Sequence, residues 1–453
     1  MLEDPVGYHI GIRYSSIQRI AVGLDGRPCN VPLQQYNHHV NACRLDICFE
    51  TLTPPFLEEV EIHRRLTGDR EKDKRNYKYR VGFLDEGHRM VSPYAPHLRV
   101  ELFNDPTSIE KFVTMCEKFG IARSIIIRFP SHCPLLAVKK GFFSHKRLHK
   151  LRKSFVSLPW SITFQLEALL LNGLLNTGDL EELIPLVLSL IQKHTKNDPG
   201  YVAIFLKHYH QSLKIRKSTD TPIDCFHERL RNFRYSEFQP TVDMGCYHVT
   251  FTPTRILLEG PYATQSNRVL REYQGHEDHF IRVDFRDEDM LQFRWEREVD
   301  GTYFLNARVG GTLKEGFELA GRRFEFLAYS NSALREHSVW FMNPFKHPSH
   351  MGWVDGAFIR DSLGDFKGDA LLKQPSKFAA RLAQAFTATD ASAEIQRCEW
   401  EEVEDLVCPN RSYLFTDGVG TISRDLARRM WRKYSEARHI TKFTVEPSAV
   451  SHI

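Results

Sequence analysis

Chemistry in this chain has to come from a few clusters of charged and ring side chains, and the acids come first. Asp284, Asp287, Glu288 and Asp289 lie within six positions, a density that could bind Mg²⁺, but carboxylate spacing alone does not separate this from a solvated turn, which is the expectation. His276-Glu-Asp-His279 and His347-Pro-Ser-His350 each present two imidazoles without a third ligand nearby in sequence. The expectation for both is surface histidines, not a metal site. Neither a Gly-x-x-x-x-Gly-Lys phosphate loop nor a Gly-x-Ser-x-Gly nucleophile elbow occurs, which weighs against P-loop and serine-hydrolase chemistry.

Cations make a stronger pattern. In Ser266-Asn-Arg-Val-Leu-Arg271, a helical turn beginning at Asn267 places Arg268 and Arg271 on one face, where two planar donor forks suit phosphate oxygens. The bland alternative is a pair of surface arginines matched with nearby acids. In the stretch from Gln374 to Thr389, a helix puts Phe378, Leu382 and Phe386 on one stripe and Lys377, Arg381 and Gln384 on another. One stripe packs and the other is free to hold a nucleic-acid strand or water. From Arg424 to Arg438 there are six Lys/Arg against Asp425 and Glu436, with Trp431 and Tyr434 among them. That composition fits contact with phosphates, and Trp431 is expected to pack inward. A fourth basic run, Lys139 to Lys153, holds seven Lys/Arg and two His with no acid, and includes Phe142 and Phe143.

The elements that must carry these groups follow from periodicity. Residues 1–156 mix short β-like runs (Tyr8 to Ile20, Ser124 to Arg128) with charged turns and a strongly charged insert at Asp69 to Arg75, which reads as an α/β region. Residues 157–240 turn helical: Pro159 suits a first turn, Gly173 a stop, and Asp179 with Glu182 resembles a capping box opening Leu183 to Ile191. Pro185 bends a helix or marks its first turns. Residues 241–453 are β-rich. Tyr247 to Thr252 and Arg255 to Leu258 form a hairpin, and Phe280 to Arg286 alternates, with Ile281, Val283 and Phe285 opposite Arg282, Asp284 and Arg286. Arg323 to Tyr329 and Val339 to Met342 are further strands, and Tyr413 to Ile422 reads as two β-runs around Asp417-Gly418. The fold class is therefore α+β and multi-domain.

Composition bounds the class. A chain of 453 residues with 42% apolar content buries a sizeable core. Net charge is +4, from 61 Lys+Arg and 57 Asp+Glu, so only local clustering argues for an anionic partner. Nine thinly spread cysteines with no Cys-x-x-Cys read as reduced thiols. No apolar run approaches a bilayer span and Met1-Leu2-Glu3-Asp4-Pro5 lacks the basic start of a secretory signal, so an intracellular protein without membrane contact is expected.

Taken in order, Gly260-Pro261 with Ser266 to Arg271, Phe280 to Asp289, Phe326 to Met342, Ala380-Arg-Leu-Ala-Gln-Ala-Phe386 and Phe415-Thr-Asp-Gly-Val-Gly-Thr-Ile-Ser423 resemble the cell-encoded RNA-dependent RNA polymerases of eukaryotic gene silencing, most like the fungal branch. The resemblance covers about residues 245 to 449. It implies a polymerase built on two double-psi β-barrels that copies a single-stranded RNA template from ribonucleoside triphosphates with Mg²⁺. The double-stranded product feeds small interfering RNAs, and the setting is the nucleus or cytoplasm, alongside silencing-complex proteins. The family's magnesium-binding Asp-x-Asp-Gly-Asp loop does not occur in this chain. Two-metal nucleotidyl transfer needs such closely set carboxylates, so no catalytic or metal-binding residue is assigned. After Pro447-Ser448-Ala449 the family pattern continues into a strand and a Gly-Gly-x-Lys-Gly turn, whereas this sequence reads Val450-Ser-His-Ile453. The first barrel is therefore expected to be incomplete, with residues after about 400 poorly packed, and the chain to be a polymerase portion inactive alone. A non-catalytic RNA-binding scaffold derived from such a polymerase is the alternative. The expected template contacts are Arg268, Arg271, Lys377, Arg381, Gln384 and Arg424.

Overall fold

The computed structural model describes residues 6–25, 43–61, 78–94, 98–104, 108–121, 126–129, 143–194, 200–215, 220–234, 244–293, 299–350, 352–364, 373–389, 393–413, 415 and 420–437. The fold is mixed α and β, as the periodicity requires. Near the N-terminus, Ile17–Asp25 is central in a four-stranded sheet, antiparallel to Cys43–Thr51 and parallel to Ile126–Phe129, with Leu98–Asn104 on the outer side of Cys43–Thr51. Ile20, Val22 and Ile47 on this sheet pack with Cys116 and Ile121 of the helix Ser108–Lys118 and its end. The charged insert 69–75 lies outside the described residues.

Five helices follow among the described residues: His145–Phe155, Trp160–Leu171, Thr177–His194, Gly200–Lys214 and Pro222–Asn232. Trp160–Leu171 has eleven of its side chains buried, Thr163, Gln165 and Glu167 among them, because its two sides meet different cores. Ile162, Leu166 and Leu169 join the helical core, while Phe164, Ala168 and Leu171 face the large sheet. Helix Thr177–His194 starts earlier than its Asp179/Glu182 spacing suggests. Asn176 Oδ1 accepts from the N–H groups of Gly178 and Asp179 at 2.8 and 3.1 Å, and Asp179 Oδ2 accepts from Asn176 N at 3.0 Å. The reciprocal cap is thus three residues upstream, because an Asn side chain reaches the orphan donors as well as an Asp does. Pro185 sits inside this helix.

The large sheet has six strands in the order Phe317–Leu319, Arg322–Ala328, Ser338–Met342, Phe280–Phe285, Met244–Phe251, Ile256–Thr264. Met244–Phe251 and Ile256–Thr264 form the expected hairpin, and Phe280–Phe285 lies parallel to Met244–Phe251. Alternation decides its faces: Ile281, Val283 and Phe285 are buried against Trp160, Phe164 and Phe341, while Arg282 and Asp284 take the other side. The opposite face carries its own core, in which Val269, Leu270, Tyr273, Phe280, Met342, Leu382 and Phe386 meet. Of the stretch read as two β-runs around Asp417-Gly418, Leu414 and residues 416–419 lie outside the described residues, and the described part forms no strand. Before it Trp400, Val403 and Leu406, and within it Tyr413 and Phe415, expose their apolar side chains.

Candidate nucleic-acid interface

The first cation cluster forms because a hairpin delivers it. Gly260 adopts φ 100°, and a Cβ there would stand 2.7 Å from Cys246 O across the hairpin, so only glycine lets Ile256–Thr264 approach its partner at this point. Beyond the strand, buried Asn267 caps the helix Arg268–Glu272 by accepting from Leu270 N at 3.0 Å. Val269, Leu270 and Tyr273 are drawn inward, and Arg268 is left exposed. Arg271 is committed within the fold: its guanidinium donates to Thr389 O and, at 3.0 Å, to Thr389 Oγ1. Thr389 N donates to Ser266 O at 2.9 Å. A residue read from sequence as a phosphate contact therefore ties the end of the second cluster to the start of the first.

That second cluster is the helix Pro375–Gln384, with Pro375 in its first turn. Leu382 and Phe386 are buried in the same core as Val269 and Leu270, with Phe378 packed against it. Lys377, Arg381 and Gln384 are exposed. The structure thus brings two clusters more than 100 residues apart in sequence (|i−j| = 118 for Arg271 and Thr389) onto one core. Where they meet lies a cavity of about 170 Å³ whose wall includes Asn267, Arg282, Glu336 and Phe386. Arg282 donates from Nε to Ser338 Oγ at 2.6 Å and lies 3.8 Å from Asp284. In the sequence, Arg282 is legible only as the polar side of an alternating strand.

The third cluster stands apart. Helix Arg424–Ala437 exposes Arg424, and Arg429 makes a two-point pair with Glu399 at 2.8 and 3.0 Å, holding that carboxyl down to about 2. Trp431 does not pack into a core: it is half-buried and lies 5.7 Å from the Tyr434 ring, since its helix has no apolar layer above it among the described residues.

The acidic group is not the solvated turn that its spacing suggests, because its carboxylates are engaged within the fold. Asp287 accepts both bonds of a forked contact from Arg80 Nη2 at 2.9 and 2.7 Å, and Asp289 pairs with Arg13. Glu288 is buried, accepts from Thr254 N at 2.7 Å, and is pushed up by desolvation. Its field opposes the desolvation that still draws the buried guanidiniums of Arg255 and Arg308 down to about 10. The acids therefore fasten N-terminal strands to the large sheet: Lys78–Arg80 pairs parallel with Val299–Asp300, and a Cβ on Gly82 would stand 2.3 Å from Pro253 O.

The two His-x-x-His pairs, by contrast, converge. His276 and His347 rings lie 5.1 Å apart, His347 and His350 5.2 Å, and His276 stacks on Phe345 at 4.7 Å. The four are half-buried, not surface groups, because Tyr273 and Phe345 gather them. Even so, among the described residues no group of three or more His, Cys, Asp or Glu side chains is arranged to hold a metal ion.

Comparison with known proteins agrees with this layout. A family model described as RNA dependent RNA polymerase matches residues 251–451, the part holding all three cation clusters. RNA-dependent RNA polymerase 1 of Arabidopsis thaliana is 34% identical over 194 residues, which is 41% of this chain and 17% of that relative. RNA-dependent RNA polymerase 2 of the same plant is 26% identical over 306 residues, 61% of this chain and 25% of the relative. RNA-dependent RNA polymerase 1 of Schizosaccharomyces pombe is 33% identical over 181 residues, 40% of this chain and 14% of the relative. The matched parts thus span a quarter or less of these relatives' lengths. Residues 251–451 of the chain are thus similar to RNA-dependent RNA polymerases.

Proposed function

We propose that this chain is the template-holding portion of an RNA-dependent RNA polymerase of the gene-silencing type. The observation that carries the reading is the convergence of two cation clusters on one core inside the segment that matches the family. Exposed Arg268, Lys377, Arg381 and Gln384, with Arg424 on a separate helix, contact the template backbone, and Arg271 positions that face through Thr389. The whole enzyme copies single-stranded RNA into double-stranded RNA from ribonucleoside triphosphates, with Mg²⁺ held by carboxylates outside the described clusters, in nucleus or cytoplasm with silencing-complex proteins. Residues 1–156, 157–240 and 241–453 act as an α/β region, a helical spacer and the start of the first double-psi barrel. No helix among the described residues is long and apolar enough to cross a membrane, consistent with a substrate met in water.

Binding of a labelled single-stranded RNA across a salt series tests the contacts. Lys377→Ala with Arg381→Ala is expected to weaken binding and to flatten the salt dependence of log K by about 1.4, roughly 0.7 for each lost phosphate contact. Unchanged affinity and slope would refute the assignment. Primer extension addresses the chemistry: Mg²⁺-dependent product from residues 1–453 alone would show that nucleotidyl transfer resides here.

A further inference from the structure

The basic run around residue 145 lies outside the family-matched segment, and the interface above leaves it unused. It forms helix His145–Phe155, whose Leu148, Leu151 and Phe155 are buried in the helical core. His145, His149 and Arg152 recur at helical spacing on a different stripe and are exposed. They line a cavity of about 550 Å³, as does Arg89 from helix Glu86–Val91. Tyr94 and Phe143, also in the lining, stack on each other with ring centroids 5.3 Å apart and planes within 6°.

Both arginines here have partners within the fold. Arg152 Nε lies 3.4 Å from Glu167, a carboxyl buried beneath the helix, and its Nη2 donates to the Tyr94 hydroxyl at 3.4 Å. Arg89 sits over the Phe83 ring at 5.2 Å and pairs with Glu86, the one acid among the described lining residues, at 3.3 Å. Lys146, Lys150 and Lys153 stand exposed on the same helix and extend the positive field beyond the cavity. A hollow this size accepts a nucleotide-sized group. Fixed guanidiniums suit phosphate oxygens, and a flat aromatic pair offers a face on which any base can stack.

We infer that this cavity is a second single-stranded RNA site, gripping one or two nucleotides of a strand by the guanidiniums of Arg89 and Arg152 and the Tyr94–Phe143 stack. The inference rests on the reading of the chain as an RNA-handling polymerase portion and adds a contact remote in sequence from the matched clusters. A strand held at both places is bound by linked contacts, which raises affinity beyond either alone.

The test uses the 1–453 chain, a fluorescein-labelled oligouridylate and a salt series. Arg152 is left intact, because removing it would strand buried Glu167. Arg89→Ala with His149→Ala replaces exposed groups only, and Phe143→Leu keeps apolar volume while removing the flat face. Each variant is expected to melt as the parent does and to bind RNA about tenfold more weakly, the double variant with a salt slope shallower by about 0.7. A 4-thiouridine oligonucleotide is expected to crosslink to the peptides holding Tyr94 or Phe143. Parental affinity in both variants, with loss in Lys377→Ala/Arg381→Ala, overturns the cavity assignment and leaves the matched interface standing. Loss in the cavity variants with none in Lys377→Ala/Arg381→Ala supports the cavity and refutes the interface. A poly-aspartate peptide that displaces the RNA from the parent chain but not from the cavity variants would identify the site as one for acidic protein and overturn the RNA assignment.

Discussion

Acidification should loosen the join between the helices and the large sheet, and the effect traces to one imidazole. Asn172, just past helix Trp160–Leu171, acts as a strand partner for Leu258: its Oδ1 accepts from Leu258 N at 2.9 Å and its Nδ2 donates to Leu258 O at 2.8 Å. The same amide nitrogen lies 3.2 Å from Nε2 of buried His210, on helix Gly200–Lys214. With Asn172 oriented by the backbone, Nε2 must accept, which fixes the neutral tautomer. Protonation would set donor against donor. Burial, with Lys214 adding repulsion, accordingly draws His210 from 6.5 to about 4. The unfolded chain takes up the proton first as pH falls, so stability is intact above about 6.5, declines between 6.5 and about 4, and is level below. Two site constants of 6.5 and about 4 give a loss of about 2 kcal/mol between pH 7.5 and pH 5. Urea melts at those two values read it. His208 on the same helix is also drawn to about 4 by desolvation, with Arg229 and Lys207 nearby, so the informative comparison is with His210→Gln, which keeps an acceptor and does not titrate. The variant should show about 2 kcal/mol less acid destabilisation than the parent. An equal acid loss in the two proteins would refute the assignment to this imidazole.

Arg80→Ala should cost about 3 kcal/mol in urea melts, because it leaves Asp287 without its cation, takes one partner from Glu58, which keeps Lys78 and His9, and removes a guanidinium 4.4 Å above the Phe56 ring. Limited proteolysis should then cut near residue 80 faster than in the parent. Gly260→Ala should destabilise by more than about 1 kcal/mol, since φ 100° and the 2.7 Å approach to Cys246 O both oppose a Cβ, and parental stability would show that the hairpin shifts to admit it.

Side-chain periodicity in the sequence settled much of the secondary structure. Alternation through Phe280–Phe285 assigned its two faces, a 3.6-residue period placed Leu382 and Phe386 inward with Lys377 and Arg381 outward, and Asn267 marked a helix start, because each depends on neighbours within a few residues. The family resemblance was likewise legible, since it rests on ordered local motifs. What chain order could not determine was which charges would meet. Asp287 and Arg80 are 207 positions apart, and Arg271 and Thr389 118, so an acid cluster read as a solvated turn holds a distant arginine, and an arginine read as a phosphate contact has a distant partner within the fold. The histidine pairs show the same limit from the other direction: each lacked a local companion, and only the packing of Tyr273 and Phe345 brought them together. Electrostatic partnership depends on distance in space and on desolvation. Both are properties of the closed core, not of spacing along the chain.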